Sequence, residues 1–168
     1  MKFLKLVALV LIVSLGTKHV QAQEMAPKMT YSVEVDVSAD KLWEQIRIMD
    51  NIDEVSSYVA TVTWRGPKGV GGERKCVAPD GKGYYVEKIK SFNDEQRLLR
   101  WQVIEGVPAK NVFNSFNVID LGFNKSLIVF RSHYEFVENP NMTKAQFEAF
   151  LGSAVKEITA NYVKLAKK

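Results

Sequence analysis

The chain is poor in the residues that build covalent or metal scaffolds. It has one cysteine, Cys76, in 168 residues, so no internal disulfide can form and the fold must rest on packing. It has two histidines, His19 and His133, which excludes a His-rich zinc site. It has no apolar run long enough to cross a bilayer; the longest, Leu6 to Leu15, is about half the required ~20 residues. There are no repeats, no low-complexity tracts and no linkers. The one glycine-rich loop, Gly66-Pro67-Lys68-Gly69-Val70-Gly71-Gly72, lacks a following Gly-Lys-Ser/Thr and no helix opens after it. It therefore reads as a turn and not as a phosphate cradle.

The basic excess is also less than it looks. Lys2, Lys5 and the short apolar run describe a secretory signal peptide over residues 1–22, with Val20 and Ala22 as the small residues of a cleavage site and Gln23 as the new N-terminus. That leader holds three of the 23 basic residues and none of the 19 acids, which leaves 20 against 19 in the mature chain. Nothing in that balance argues for nucleic acid as a partner. The expectation is an exported protein, periplasmic or secreted, without stable membrane insertion after cleavage. Residues 23–168 are enough for one domain with a real core.

The first strand is expected over Met29–Val37, where Tyr31, Val33, Val35 and Val37 alternate with Ser32, Glu34 and Asp36. Ser38 caps a short helix with Asp40 in its first turn and an apolar side of Leu42, Trp43, Ile46 and Met49. Asp50 to Ser56 reads as a second short helix or loop. Strands are expected at Tyr58–Trp64, Leu98–Glu105, Val112–Leu121 and Leu127–Val137, besides a central hairpin. In the last strand His133 falls on the more polar face, as a solvated or edge histidine. The chain ends in one amphipathic helix of about 24 residues, roughly 36 Å long. Thr143 and Gln146 form its capping box, Met142 can staple onto Phe147, and Phe147, Leu151, Ala154, Ile158, Tyr162 and Leu165 form its apolar stripe.

The central hairpin, Gly69 to Ile89, is the most informative stretch. Asp80-Gly81 is a strong signal for a two-residue type I′ turn, with Pro79 facing Lys82. That register sets Arg74 opposite Glu87, Cys76 opposite Tyr85, and Glu73 opposite Lys88. A slip of one residue would oppose Glu73 to Glu87, so turn chemistry and charge choose the same pairing. Alternation then puts Gly72, Arg74, Cys76, Ala78, Tyr85, Glu87 and Ile89 on one, less polar face. An odd-length loop to the next strand adds Leu99, Trp101, Val103 and Glu105 to it. An inward Arg and Glu must be paired to be tolerated. The pair is a structural one that fixes register, one that is simply exposed, or a functional one.

The order is strand, two short helices, six strands and a long helix. It predicts an α+β fold: a curved antiparallel sheet of about seven strands, curled by its own twist around the C-terminal helix. Such a shape leaves a cavity between helix and sheet unless Trp, Tyr and Phe fill it, and Arg74 and Glu87 would stand on its wall. The VSADKLWEQI helix start, the GPKGVGGERKC loop and strand, the VEKI strand and the WQVIEGVP segment resemble the polyketide cyclase/dehydrase and lipid-transport group of the START-like (SRPBCC, helix-grip) superfamily. The Arg of ERKC and the Glu of VEKI, here Arg74 and Glu87, resemble the pair used by lachrymatory factor synthase within that group. The resemblance implies a helix-grip fold and a hydrophobic cavity; no cofactor and no metal are expected.

Two functions follow. One is an exported binding protein for a small hydrophobic, lipid- or polyketide-like ligand, with Arg74, Cys76, Tyr85, Glu87, Trp101, Val103, Glu105, Phe147 and Leu151 as expected ligand contacts. The other is a cofactor-independent cyclase, dehydratase or isomerase. There Arg74 would stabilise an oxyanion and Glu87 would move a proton. Cys76 has no inward histidine partner and is expected to pack rather than react.

Overall fold

The computed structural model describes residues 25–168. The expected leader and its cleavage site lie outside the described residues. The elements are β1 (Met29–Val35), α1 (Ala39–Ile46), α2 (Ile52–Val55), β2 (Thr61–Arg65), β3 (Glu73–Val77), β4 (Tyr84–Asn93), β5 (Leu98–Glu105), β6 (Ala109–Gly122), β7 (Lys125–Phe136) and α3 (Lys144–Ala166). The seven strands make one antiparallel sheet in the order β1-β7-β6-β5-β4-β3-β2, a meander whose last strand is joined by the first. The curved, open sheet grips α3, and the two short helices fill the corner between β1 and β2. This is the α+β helix-grip architecture expected from the element order.

Local chemistry accounts for the ends of the helices. Ser38 caps α1 with its hydroxyl accepting from the Lys41 N–H, and Leu42, Trp43 and Ile46 bury the face toward the core. The capping box of α3 is formed in both directions between Thr143 and Gln146. Phe147 and Met142 share a small cluster with Val112 and Tyr134, which seats the first turn of α3 on the sheet. Two indoles are tied down by carboxylates: Trp43 Nε1–H donates to Asp94 Oδ1 and Trp64 Nε1–H to Asp50 Oδ1, each at 2.7 Å.

The central hairpin has the expected register, with Glu73 opposite Lys88, Arg74 opposite Glu87 and Cys76 opposite Tyr85. Its turn is different. The last hairpin hydrogen bond runs from Ala78 N–H to the Gly83 carbonyl, so the loop is Pro79 to Lys82 and Pro79 does not pair with Lys82. Only Gly81 has positive φ (68°), and Asp80 Oδ1 accepts from the Lys82 and Gly83 N–H groups. A two-residue and a four-residue loop centred on the same bond give one register, so the pairing survives the change of turn. The turn with positive φ at both central residues is at Phe123-Asn124, between β6 and β7 (51° and 60°).

The β4–β5 connection corrects the sequence reading in a similar way. The loop between the paired residues Asn93 and Leu98 is even in length, 94–97, yet Leu99 and Trp101 are buried and Trp101 faces Ile89. A bulge at Lys90 supplies the odd residue that the loop does not. A second bulge, between Val86 and Glu87, sets Val103 opposite Glu87 but Glu105 opposite Val86. Glu105 therefore lies on the outer face, exposed, where the Tyr84 hydroxyl donates to its Oε1 at 2.5 Å. The chain turns away at Gly106 (φ 89°), where any Cβ would lie 2.1 Å from the Tyr84 carbonyl oxygen.

The buried face of α3 is also broader than the expected stripe. Phe147, Val155, Thr159, Tyr162 and Ala166 are fully buried, whereas Leu151, Ala154, Ile158 and Leu165 are half-buried. The helix touches α1 and α2 as well as β1 and β7, so positions beside the stripe are covered too. Phe147→Ala should cost about 3–5 kcal/mol and Leu151→Ala clearly less, since large-to-small changes cost most where burial is complete. Urea titration of both variants checks this. A Phe147→Ala loss below about 0.5 kcal/mol, the range of surface changes, would contradict the docking of α3 described here.

Candidate functional site

Neighbouring strands β3 and β4 bring Arg74 and Glu87 together inside the sheet, at 3 % and 5 % exposure. The Arg74 Nε–H donates to Glu87 Oε2 at 2.6 Å. Arg74 Nη1–H donates to the backbone carbonyl of Met49, also at 2.6 Å. Met49 lies just past α1 with φ at 58°, a left-handed conformation uncommon for a non-glycine residue. The guanidinium carbon stands 5.9 Å from the centre of the Trp101 ring. Burial works against the charge on Arg74, but the Glu87 carboxylate beside it prevails and holds its pKa above the ordinary value. Burial, reinforced by Glu87, pushes the Cys76 thiol up to about 12. Burial likewise raises the Tyr162 phenol to about 12 and the Tyr85 phenol well above its usual range.

The pair borders a cavity of about 120 Å³ between α3 and the sheet. The sheet contributes Trp101, Val103, Val112, Asn114, Phe116 and Phe130; the helix contributes Phe147, Leu151, Ala154, Val155, Ile158 and Tyr162. Tyr58 and Phe150 also line it while remaining over a third exposed, and their rings meet edge to face at 4.8 Å, which places them at its mouth. A wider depression on the opposite face of the sheet is bordered by Lys90, Arg100, Arg131 and His133. His133 belongs to that outer side, with Nδ1 2.9 Å from the Ala26 carbonyl. Among the described residues no group of three or more His, Cys, Asp or Glu side chains is gathered in a way that could hold a metal ion.

Of the residues expected at the site, Arg74, Tyr85, Glu87, Trp101, Val103, Phe147 and Leu151 line this one cavity. Cys76 does not: it is wholly buried in the core beneath the hairpin. Glu105 is on the other side of the sheet. Sequence reasoning missed Met49, Asn114, Tyr58 and Phe150. Met49 acts through its backbone, which leaves no signal in residue type. Asn114 sits among the apolar residues of a strand pattern, and a polar residue on an inward-facing register was the available clue.

The sequence matches the family described as polyketide cyclase/dehydrase and lipid transport over residues 26–168, nearly all of the described chain. The chain belongs to that family. Solved structures with this fold include the protein XoxI from Bacillus cereus, at 17% identity and TM-score 0.70 over 81% of this chain and 92% of that one. They also include norcoclaurine synthase from Thalictrum flavum in complex with dopamine and hydroxybenzaldehyde, at 20% identity and TM-score 0.68 over 82% of this chain and 84% of that one. A protein from Nitrosospira multiformis is similar at 16% identity and TM-score 0.66, over 82% and 94% of the two chains. No curated protein matches. At these identities the structural likeness shows the fold alone. Family membership adds a polyketide cyclase/dehydrase and lipid-transport context to the cavity, and the residues on its wall are this chain's own.

Two expectations follow for the family member described here. Arg74→Met or Glu87→Leu alone leaves the other charge buried and unpaired and should cost roughly 3–5 kcal/mol, whereas the double variant should cost clearly less, about 1–3 kcal/mol, for the Met49 carbonyl it leaves unpaired. Denaturant titration of the cycle checks this, and single losses of no more than about 1 kcal/mol would be those of an exposed pair. The second concerns Cys76. With its thiol at about 12, the native protein should resist iodoacetamide at pH 8 and become reactive only when unfolded. Because the folded-state value lies above the ordinary 9.0, the contribution to stability is complete below pH 9 and is lost as pH rises toward about 12. Rapid alkylation of the native protein at pH 8, measured by intact mass, would overturn the assignment of Cys76 to the core.

Proposed function

We propose that this chain is an exported binding protein for a small, mainly apolar molecule held between α3 and the sheet. The observation that carries the reading is the cavity itself: aromatic and aliphatic on nearly every side, with the Arg74–Glu87 pair on one wall. Natural pockets share that composition, apolar linings with a few placed polar groups. Its size limits the ligand. A cavity near 150 Å³ admits benzene, so about 120 Å³ suits a single ring or a short branched chain better than a full lipid or polyketide. The complex of norcoclaurine synthase with dopamine and hydroxybenzaldehyde supports single-ring ligands on this fold. Export rests on the signal-like residues 1–22.

A second reading, cofactor-independent acid–base catalysis, is favoured by one observation. Glu87 lines the cavity, yet among the described residues only its Oε2 is engaged by protein, which leaves Oε1 for a bound molecule.

Native mass spectrometry of the protein recovered from the exported fraction tests both, together with N-terminal sequencing. The expected result is a mature chain starting at Gln23 that carries a small co-purified molecule. The Arg74→Met/Glu87→Leu double variant should fold and lose it. A retained Met1 would overturn export, and a double variant that folds and binds unchanged would reduce the pair to a register device. Chemical conversion of the bound molecule by the native chain, abolished in Glu87→Gln, would establish the catalytic reading instead.

A further inference from the structure

Trp43 and Trp64 each give their indole N–H to a carboxylate. The third indole differs. Trp101 is 5 % exposed, and its buried Nε1–H has no hydrogen-bond partner among the described residues. Directly across the β5–β6 ladder stands Asn114, 7 % exposed, whose buried Oδ1 is also without a partner among the described residues. Both side chains line the inner cavity. Among the described residues the other buried unpaired polar atoms belong to Asn51, Ser132, His133 and Thr159, none of which lines it. Buried polar groups are nearly always satisfied, so an unpaired donor and an unpaired acceptor on directly paired residues of a cavity wall point to a ligand group that reaches them as the wall adjusts.

The chemistry of that group follows from the two unpaired atoms. It must accept from the indole N–H and donate to the amide oxygen, while Trp101 and Asn114 do not bond each other. A hydroxyl does both from one oxygen; a ketone or ether accepts only, and an ammonium donates only. We propose that the ligand is a small apolar molecule carrying a hydroxyl, seated between Trp101 and Asn114. The subsite lies one inward-facing row along the sheet from Glu87, because Trp101 pairs with Ile89 while Glu87 pairs with Val103. It adjoins the ion pair, since the Arg74 guanidinium stands 5.9 Å from the Trp101 ring centre. The proposal rests on the cavity being a ligand site and adds the functional group it selects. It makes Asn114 a specificity-determining residue.

Three six-membered rings of nearly equal size test it: cyclohexanol, cyclohexanone and cyclohexane, titrated into the ¹⁵N-labelled protein and followed by NMR. Cyclohexanol should bind at least about tenfold more tightly than cyclohexane, with cyclohexanone between them, because the ketone leaves Asn114 Oδ1 unmatched. The Trp101 indole N–H resonance should move downfield with the alcohol while those of Trp43 and Trp64 stay in place. Asn114→Leu should lose the preference for the alcohol over cyclohexane. If all three rings bind within about twofold and perturb the cavity residues, the cavity reading stands and the hydroxyl proposal falls. A water molecule serving both groups would give that result. If none of the rings perturbs the cavity residues, the cavity reading falls with it. The comparison on the native chain decides the matter even if the Asn114 variant does not fold.

Discussion

A guanidinium and a carboxylate withdrawn from water constrain this molecule more than any other contact. Arg74 and Glu87 are tolerable inside only because they meet each other, and only one register of β3 on β4 lets them meet. A one-residue slip of β3 would turn Arg74 outward with its strand neighbours and leave Glu87 inside without a partner. The same guanidinium reaches the Met49 carbonyl and so fastens the end of α1 to the hairpin. Strand register, helix position and one wall of the cavity are thus linked through a single cation.

The cavity is what remains when a twisted sheet closes on a helix that cannot fill its concave side. Bulges at Lys90 and between Val86 and Glu87 adjust which β5 side chains enter it: Trp101 and Val103 are turned in, Glu105 is turned out. Most of the surface so enclosed is apolar. Arg74, Glu87, Asn114 and the Trp101 indole sit on adjacent strands and gather polar groups on the sheet side, while Ser56, Tyr58, Tyr85 and Tyr162 add hydroxyl-bearing residues to the lining. The arrangement suits a molecule that is greasy over most of its surface and polar at one edge. The Cys76 thiol has no share in that chemistry, since its surroundings favour the protonated form far above neutral pH.

Face assignments were legible in the sequence wherever two independent signals agreed. Arg74 and Glu87 were placed opposite and inward by turn position and charge together, and the capping box of α3 was readable because Thr143 and Gln146 have the spacing it requires. Where one signal stood alone, the outcome depended on context. Asp80-Gly81 marks a turn but not its length, and the double left-handed turn went instead to Phe123-Asn124. The parity of the β4–β5 loop, taken alone, was misread, yet Leu99 and Trp101 are buried as expected because the Lys90 bulge restored the alternation.

The amino-acid sequence by itself determined the strand–helix order, the central register and which side chains of that hairpin face inward, since these follow from side-chain periodicity and from the cost of burying unpaired charge. Tertiary structure alone decided where the bulges fall, and so the outward placement of Glu105. It also brought the Met49 carbonyl to Arg74 and set Trp101 and Asn114 beside each other with their polar atoms unspent. Those features depend on curvature and on backbone atoms common to every residue type. No pattern of side chains along the chain records them.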